Sequence, residues 1–364
     1  MRILFDARSV RTPAGHYVMA GLVSAWLRAG RGVEVAVAIT RSFDRARLPA
    51  GAEPVALRQT GWIEHVRREI PTIANSRQAD IIFSPNGFPP ADPRAVIYFQ
   101  DIYHFRILTG RNLSARDRAG NVVRALWRSH AAPRCLAAIP VSEHIADDVR
   151  RRVPIPVRTI PNGVDVGGVR WTGDADRVFV MGGIGARKGE ATAIRAWAEV
   201  VRSDPSGSTV MEIGGAEPTE RRAQLGSLAE ALGVGGRVTF AAAASRDAFL
   251  EQIARCRVAL SCSTLEAFGL PVAEALAMGA PVVCSDIPAH AELVSRAGAG
   301  STFPAGDVSA LARALHAALD GAPPPRRTTP PAGWTWDARA NEHLDWYEEL
   351  SGAAVPVVAS DVRH

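Results

Sequence analysis

The sequence predicts an α/β protein made of two doubly wound, parallel-sheet domains. Three observations carry that prediction. Short, almost wholly apolar runs alternate with longer segments of helical character, which is how parallel strands buried on both faces read beside the helices that cover them. The alternation runs through the chain twice, and the stretch between the two runs, Pro161–Asp176, is rich in turn residues and has no apolar period. The length of 364 residues suits two domains better than one.

In the first run the expected strands are Ile3–Phe5, Val33–Ile39, Ile81–Ser84, Val96–Phe99, Ala138–Val141 and Val157–Ile160, with helices at Tyr17–Ala29 and Asn121–His130 among the segments between them. In the second run they are Val178–Met181, Val210–Ile213, Val238–Phe240, Val258–Cys262, Val282–Cys284 and Ser301–Phe303. The second run's helices are Glu190–Val201, Pro218–Leu232, Arg246–Ala254, Pro271–Met278 and Ser309–Leu319. Gly321–Gly333 is proline-rich and reads as a linker. A last amphipathic helix follows, with Trp336, Ala340, Leu344 and Tyr347 at helical spacing, and residues 351–364 read as a frayed tail. Ligands of doubly wound sheets sit beyond the carboxyl ends of the strands, so the chemistry is expected in the loops there, with two such domains facing a central cleft.

Apolar residues make up 47% of the chain and charged residues 22%, which fits a globular protein. The opening MRILFDARSV mixes charge into a short apolar run and reads as a first strand, not a signal peptide. No apolar stretch approaches the roughly 20 residues of a membrane span. The four cysteines, Cys135, Cys256, Cys262 and Cys284, lack metal-site spacing and read as reduced thiols of a cytoplasmic protein. Charge is lopsided. Residues 1–170 hold 25 arginines against 14 acidic side chains, and the rest of the chain holds 17 basic against 23 acidic ones. A basic half fits an anionic partner: a phosphate-bearing acceptor, a membrane face or nucleic acid.

One stretch concentrates the candidate chemistry: strand, loop, helix and strand from Val258 to Pro288. Pro271 suits a first helical position and Gly279 a C-terminal cap. A helix starting at Pro271 puts Glu274 in its first turn and Glu266, eight residues earlier, in the loop before it. Both carboxylates then lie near free backbone N–H groups, an arrangement for grasping a ligand with hydroxyls and anionic oxygens. A hydrolase's acid and base would flank one bond, whereas here one carboxylate would hold a hydroxyl-rich ligand and the other would sit behind it.

The loop after Val178–Met181, residues 182–190, reads GGIGARKGE. Its glycines permit close backbone approach, Arg187 and Lys188 bring two positive charges, and the next helix aims its N-terminus at the same place, so it suits a diphosphate. It is not a P-loop, which needs GxxxxGK(S/T), nor a dinucleotide fingerprint, since Lys188 stands where the third glycine belongs. Lys188 is also the chain's only lysine; the other 41 basic residues are arginine. Asp174 and Asp176 form a DxD whose place between the domains favours turn chemistry over metal binding.

Together these motifs resemble the retaining glycosyltransferases of family 4, which have the GT-B fold. The resemblance is carried by Glu266 and Glu274 with FGLP between them, the RKG loop, DARSVRTPAGHY near the start, the Pro140–Glu143 stretch, IPNGVD at 160–165, SDIPAHAEL and TWDARA…WYEEL. It implies an N-terminal acceptor-side domain at 1–165, a nucleotide-sugar donor domain at 166–335, and a helix at 336–350 packing back on the first domain. By the same resemblance Lys188 and Arg187 neutralise the departing diphosphate, Glu266 holds donor-sugar hydroxyls, and the N–H groups of Phe268, Gly269 and Leu270 meet sugar or phosphate oxygens. Glu274 would bind the ribose, Ile213–Gly215 and Phe240–Ala244 would lie near the base, and Gly15, in a glycine loop, would let backbone approach the phosphate.

The pattern is not complete. Pro13 and His16 replace the glycine and arginine of the opening loop, and Gln100–Asp101 stands where the family often has a His-Asp pair, with His104 three residues on. Asp101 and His104 are accordingly the acceptor-side candidates. The resemblance implies a metal-independent hexosyltransferase of the mannosyltransferase-like kind, using GDP-mannose or a UDP-sugar and no further cofactor. Its acceptor would be a hydroxyl compound, anionic or lipid-linked, handled in the cytoplasm or at the inner face of the membrane. A sugar-nucleotide-binding partner subunit and a sugar-nucleotide epimerase remain open as alternatives. A nucleic-acid binder explains the basic half but not the paired glutamates.

Overall fold

A computed structural model describes residues 1–58, 60–85, 88–100, 115–185, 187–205, 207–215, 219–242, 245–321 and 331–352. The chain divides into two units, Met1–Gly163 with Trp336–His364, and Val164–Thr335. The sequence boundary after residue 165 compares with a division after Gly163.

The first unit runs β1 (Arg2–Asp6), α1 (Pro13–Arg28), β2 (Glu34–Ile39), β3 (Glu53–Ala56), a short turn α2 (Trp62–Glu64), a π-helical turn at His65–Glu69, α3 (Ile70–Ser76), β4 (Ile81–Ser84), β5 (Ala95–Phe99), α4 (Ala115–Ala131), β6 (Ala137–Pro140) and α5 (Glu143–Arg150). The second runs β7 (Ala175–Val180), α6 (Glu190–Ser203), β8 (Val210–Gly214), α7 (Thr219–Ala231), β9 (Val238–Ala241), α8 (Arg246–Arg255), β10 (Cys256–Ser261), α9 (Leu270–Met278), β11 (Val282–Ser285), α10 (Pro288–Ala297), β12 (Ser301–Phe303) and α11 (Val308–Asp320); α12 (Trp336–Gly352) rejoins the first unit.

Each unit holds a six-stranded parallel sheet. The orders are β3-β2-β1-β4-β5-β6 and β12-β11-β10-β7-β8-β9, the same winding used twice. This is the GT-B fold, and it follows from strands apolar on both faces that need helices on both sides. All six expected strands of the second unit form. In the first unit, Val157–Ile160 does not become a strand: Val157 makes only an isolated parallel bridge to Ala138. The edge strand β3 forms instead, with the sequence EPVA, little burial and a proline of the kind sheets admit at their edges.

The last helix is held by shape. Trp336 is 4% exposed and fills a slot opened by two glycines: a Cβ on Gly21 would lie 2.4 Å from its ring, and one on Gly163 2.5 Å. Its indole N–H donates to Tyr17 Oη at 3.2 Å. Ala340, Leu344 and Tyr347 are fully buried along the same face, and His343 packs among Trp26, Phe83 and Tyr98. The four cysteines are free and buried, and burial pushes the thiols of Cys135, Cys256 and Cys284 up to about 12.

Trp336→Ala empties a slot that the two glycines leave no neighbour to fill. It is expected to cost the first unit about 3–5 kcal/mol in urea unfolding, whereas a loss below roughly 1 kcal/mol would show that α12 is not held there.

Candidate functional site

In the second unit β7 and β10 are neighbours, and the chain leaves them toward opposite edges of the sheet. The loops after them, residues 181–189 and 262–269, therefore flank the switch point where ligands of such sheets bind. The two loops lock together. Gly189 caps α6 in the left-handed region at φ 73°, and a Cβ there would come within 2.2 Å of the Cys262 carbonyl oxygen. Beyond that contact the Thr264 N–H donates to the Arg187 carbonyl at 2.8 Å, and Thr264 Oγ1 to the same oxygen at 3.2 Å.

This close approach brings three of the candidate residues into one cluster. Lys188 Nζ donates to Glu266 Oε1 at 2.7 Å and Arg187 Nη1 to Glu266 Oε2 at 3.0 Å. Ser263 Oγ adds a bond to Oε1 at 2.8 Å, and Arg187 Nη1 also reaches the Leu265 carbonyl at 2.8 Å. The Lys188 and Glu266 side chains are largely buried, at 16% and 14% exposure, while Arg187 is more open at 41%. Burial works to raise the Glu266 pKa. The Lys188 ammonium, then Arg187 and Ser263, outweigh it and hold the carboxyl below its ordinary value. One carboxylate against two cations leaves the cluster net positive, and the N-termini of α6 and α9 add N–H groups.

The rest of the stretch is arranged differently from the sequence expectation. Leu270, not Pro271, opens α9, with Gly269 at its N-cap in the left-handed region at φ 93° and Gly279 closing it. Glu274 is therefore the fifth helical residue and lies past the first turn. Its carboxylate is 2% exposed and ion-paired to Arg246 Nη1 at 2.7 Å. Burial, partly offset by Arg246, pushes its pKa up. Phe268 is buried. Gly15 belongs to the first unit and lies not in a loop but in the first turn of α1, where its N–H donates to Thr12 Oγ1 at 3.1 Å. Asp101 and His104 lie outside the described residues. Gln100 donates from Nε2 to the Pro85 carbonyl at 3.5 Å.

Sequence reasoning gave no role to three further side chains here. Arg246 partners Glu274. Glu190 is fully buried at the head of α6, where Oε1 accepts the Gly185 N–H and Oε2 lies 3.8 Å from Arg221 Nη2, so it braces the glycine loop. His290, on α10, is 1% exposed with its ring under Gly269. Its Nδ1 is 3.1 Å from Ser285 Oγ and 3.2 Å from the Ser285 carbonyl; that hydroxyl itself donates to the Ser263 carbonyl. Burial brings the imidazole down to about 4, so at neutral pH it is uncharged beneath the Lys188–Glu266 pair. Only its place in SDIPAHAEL pointed to it, and no spacing rule selects a lone histidine. The DxD aspartates are engaged elsewhere, Asp174 with Arg255 and Asp176 with Ser208, Thr209 and Arg257. Among the described residues no group of three or more His, Cys, Asp or Glu is placed to hold a metal ion.

Comparison with known proteins bears on both units. Residues 169–331 match the family model "Glycosyl transferases group 1", and residues 17–167 match "Glycosyltransferase Family 4". A phosphatidyl-myo-inositol mannosyltransferase of Mycolicibacterium smegmatis is 30% identical over 222 residues, 55% of this chain and 54% of that protein, so the match spans about half the relative's length. Among solved structures, sucrose-phosphate synthase from Thermosynechococcus elongatus superposes with a TM-score of 0.73 at 19% identity, covering 97% of this chain and 100% of that one. Anabaena HepE in complex with UDP and glucose gives 0.67 at 18%, with the same coverage.

The two glutamates are expected to affect stability with opposite pH courses. Glu266, held below its ordinary value of 4.5, contributes stability that is present above that value and lost as pH falls through its folded pKa. Glu274, pushed above 4.5, does the reverse: its contribution is present below that value and lost as pH rises through its folded pKa. In urea unfolding between pH about 4 and 7 the advantage of wild type over Glu266→Gln should widen with pH, and that over Glu274→Gln should narrow. Parallel courses would contradict the assignment.

Proposed function

We propose that this chain, which belongs to glycosyltransferase family 4, transfers a hexose from a nucleotide-diphosphate sugar to a hydroxyl acceptor with retention of anomeric configuration. The observation that carries the proposal is the Lys188–Glu266–Arg187 cluster at the switch point of the second sheet. It joins positive charge for a diphosphate to a carboxylate for sugar hydroxyls within one hydrogen-bonded group. In the transfer the bond from the anomeric carbon to the phosphate oxygen breaks, the acceptor oxygen bonds to that carbon on the same face, and the acceptor's proton passes to the leaving phosphate. The chain's task is then to stabilise charge on the departing diphosphate, through Lys188, Arg187 and the N-termini of α6 and α9, with no need of a metal.

In this reading Glu266 grips the sugar and Glu274 the ribose, for which Glu274 has to exchange Arg246 for ligand hydroxyls. Phe268, Gly269 and Leu270 offer N–H groups. The RKG loop and the mannosyltransferase relative favour GDP-mannose, and the UDP-bound neighbour keeps a UDP-sugar in view. Positioning of the acceptor hydroxyl falls to Asp101 and His104, for which the resemblance is the support.

The same proposal extends to a cytoplasmic site of action at a membrane face. No helix among the described residues is long and apolar enough to cross a membrane. α4, however, leaves Val122, Val123 and Leu126 exposed, Leu126 at 66%, on a basic unit, and this supports peripheral contact with an anionic lipid surface. Two residues of that helix point inward instead. Arg128 is 6% exposed over the Phe88 ring, where burial lowers its pKa to about 10, and the Trp127 indole donates to the Pro89 carbonyl at 3.0 Å.

Lys188→Ala removes the cation without touching the core. It is expected to lower turnover of a nucleotide sugar by well over roughly tenfold in a chain that stays folded at the assay temperature, with a melting temperature below wild type because Glu266 keeps only Arg187 and Ser263. Near-normal turnover by the folded variant would remove the diphosphate role.

A further inference from the structure

A second cationic site stands in the first unit, at the carboxyl ends of β1, β2 and β3. There a cavity of about 530 Å³ is lined by Arg8, Arg11, Arg41 and Arg58, with the hydroxyls of Thr40, Ser42 and Thr60, and no acidic residue is among its lining. The guanidinium groups of Arg11, Arg41 and Arg58 are exposed and make no hydrogen bond or ion pair with another described residue. Elsewhere in the unit Arg2, Arg28, Arg31, Arg77, Arg94 and Arg158 are each paired with a carboxylate. Three unpartnered guanidiniums around one cavity keep their donors for something outside the chain.

The floor of the cavity is built. Arg8 donates to both the carbonyl and the hydroxyl of Thr60, and its own N–H goes to Asp6 Oδ1 at 3.1 Å. Beneath it His65 is 1% exposed and bridges two buried carboxylates, with Nε2 3.0 Å from Asp6 Oδ2 and Nδ1 2.8 Å from Glu69 Oε2. Glu69 is further occupied by Thr60 Oγ1 at 3.1 Å and the Arg58 N–H. The turn supplying His65 and Glu69 is π-helical, a geometry frequent at functional sites. The acids near the cavity are thus spent on its floor, and the surface shown to solvent is cationic.

We propose that this cavity binds a phosphate ester, on a phosphorylated sugar or on a lipid headgroup, through Arg8, Arg11, Arg41 and Arg58. Planar guanidiniums beside the hydroxyls of Thr40 and Ser42 suit phosphate oxygens, and the cavity opens at the carboxyl ends of the strands, the end of such a sheet that faces ligands. Its role as the acceptor's anionic group rests on the transferase reading; the binding itself does not.

The test is calorimetric titration of the full-length chain with glycerol 3-phosphate, alongside sedimentation with phosphatidylcholine vesicles with and without phosphatidylglycerol. Arg41→Ala/Arg58→Ala should weaken binding by more than roughly tenfold. Arg195→Ala/Arg202→Ala, which removes the same charge from exposed positions on α6, should bind as wild type does, and Lys188→Ala should retain the site. Loss confined to the soluble ester assigns a free phosphorylated acceptor, and loss on the vesicles assigns a lipid headgroup. Unchanged binding by the cavity variant, or no binding of either probe by wild type, overturns the proposal. Donor turnover by wild type, measured separately, decides the transferase reading without reference to this cavity.

Discussion

The candidate site depends on one close approach, the backbone of Gly189 against the carbonyl of Cys262. Only a residue without a Cβ, in a left-handed conformation, lets the basic loop after β7 lie on the loop after β10. From that contact follow the hydrogen bonds of Thr264 to Arg187 and the two cations on Glu266. The parallel pairing of β7 with β10 supplies the rest, since it sets both loops at the same end of the sheet. The chemistry is thus fixed by backbone geometry, and each side chain needs little freedom to reach its partner.

Glu266 and Glu274 look alike in sequence and differ in state. Glu266 lies among cations that outweigh its burial, whereas Glu274 is nearly inaccessible with one arginine against it. Neutral His290 fills the space under Gly269 without adding charge. A ligand with a diphosphate at one end and hydroxyls at the other would meet the net positive cluster first, and would reach Glu274 only as Arg246 yields.

Much of this was legible in the residues. Strands buried on both faces leave apolar runs, so the second sheet could be written down strand by strand. The edge strand β3 could not, because its proline and its mostly exposed positions lack the pattern of a strand buried on both faces. Val157–Ile160 has the right residues but gains only a single bridge to Ala138. Lys188 stood out as the sole lysine and Glu266 by its spacing from Glu274. Their contact was hidden, because it joins residues 78 positions apart through the pairing of two strands. Gly15 sits in a helix and not a glycine loop, and Thr12 and Pro13 carry the signals of that helix start. Arg246, Glu190 and the floor of the cationic cavity act through tertiary contacts that no local pattern encodes.

If the proposed function holds, the Lys188–Glu266–Arg187 cluster is where a nucleotide diphosphate docks. A crystal structure of the chain with a bound nucleotide sugar tests it most directly. Diphosphate oxygens are expected within hydrogen-bond distance of Lys188 Nζ and of N–H groups at the start of α6, with sugar hydroxyls on Glu266. A nucleotide sugar bound away from this cluster, with Lys188 and Arg187 still engaged only by Glu266, would contradict it.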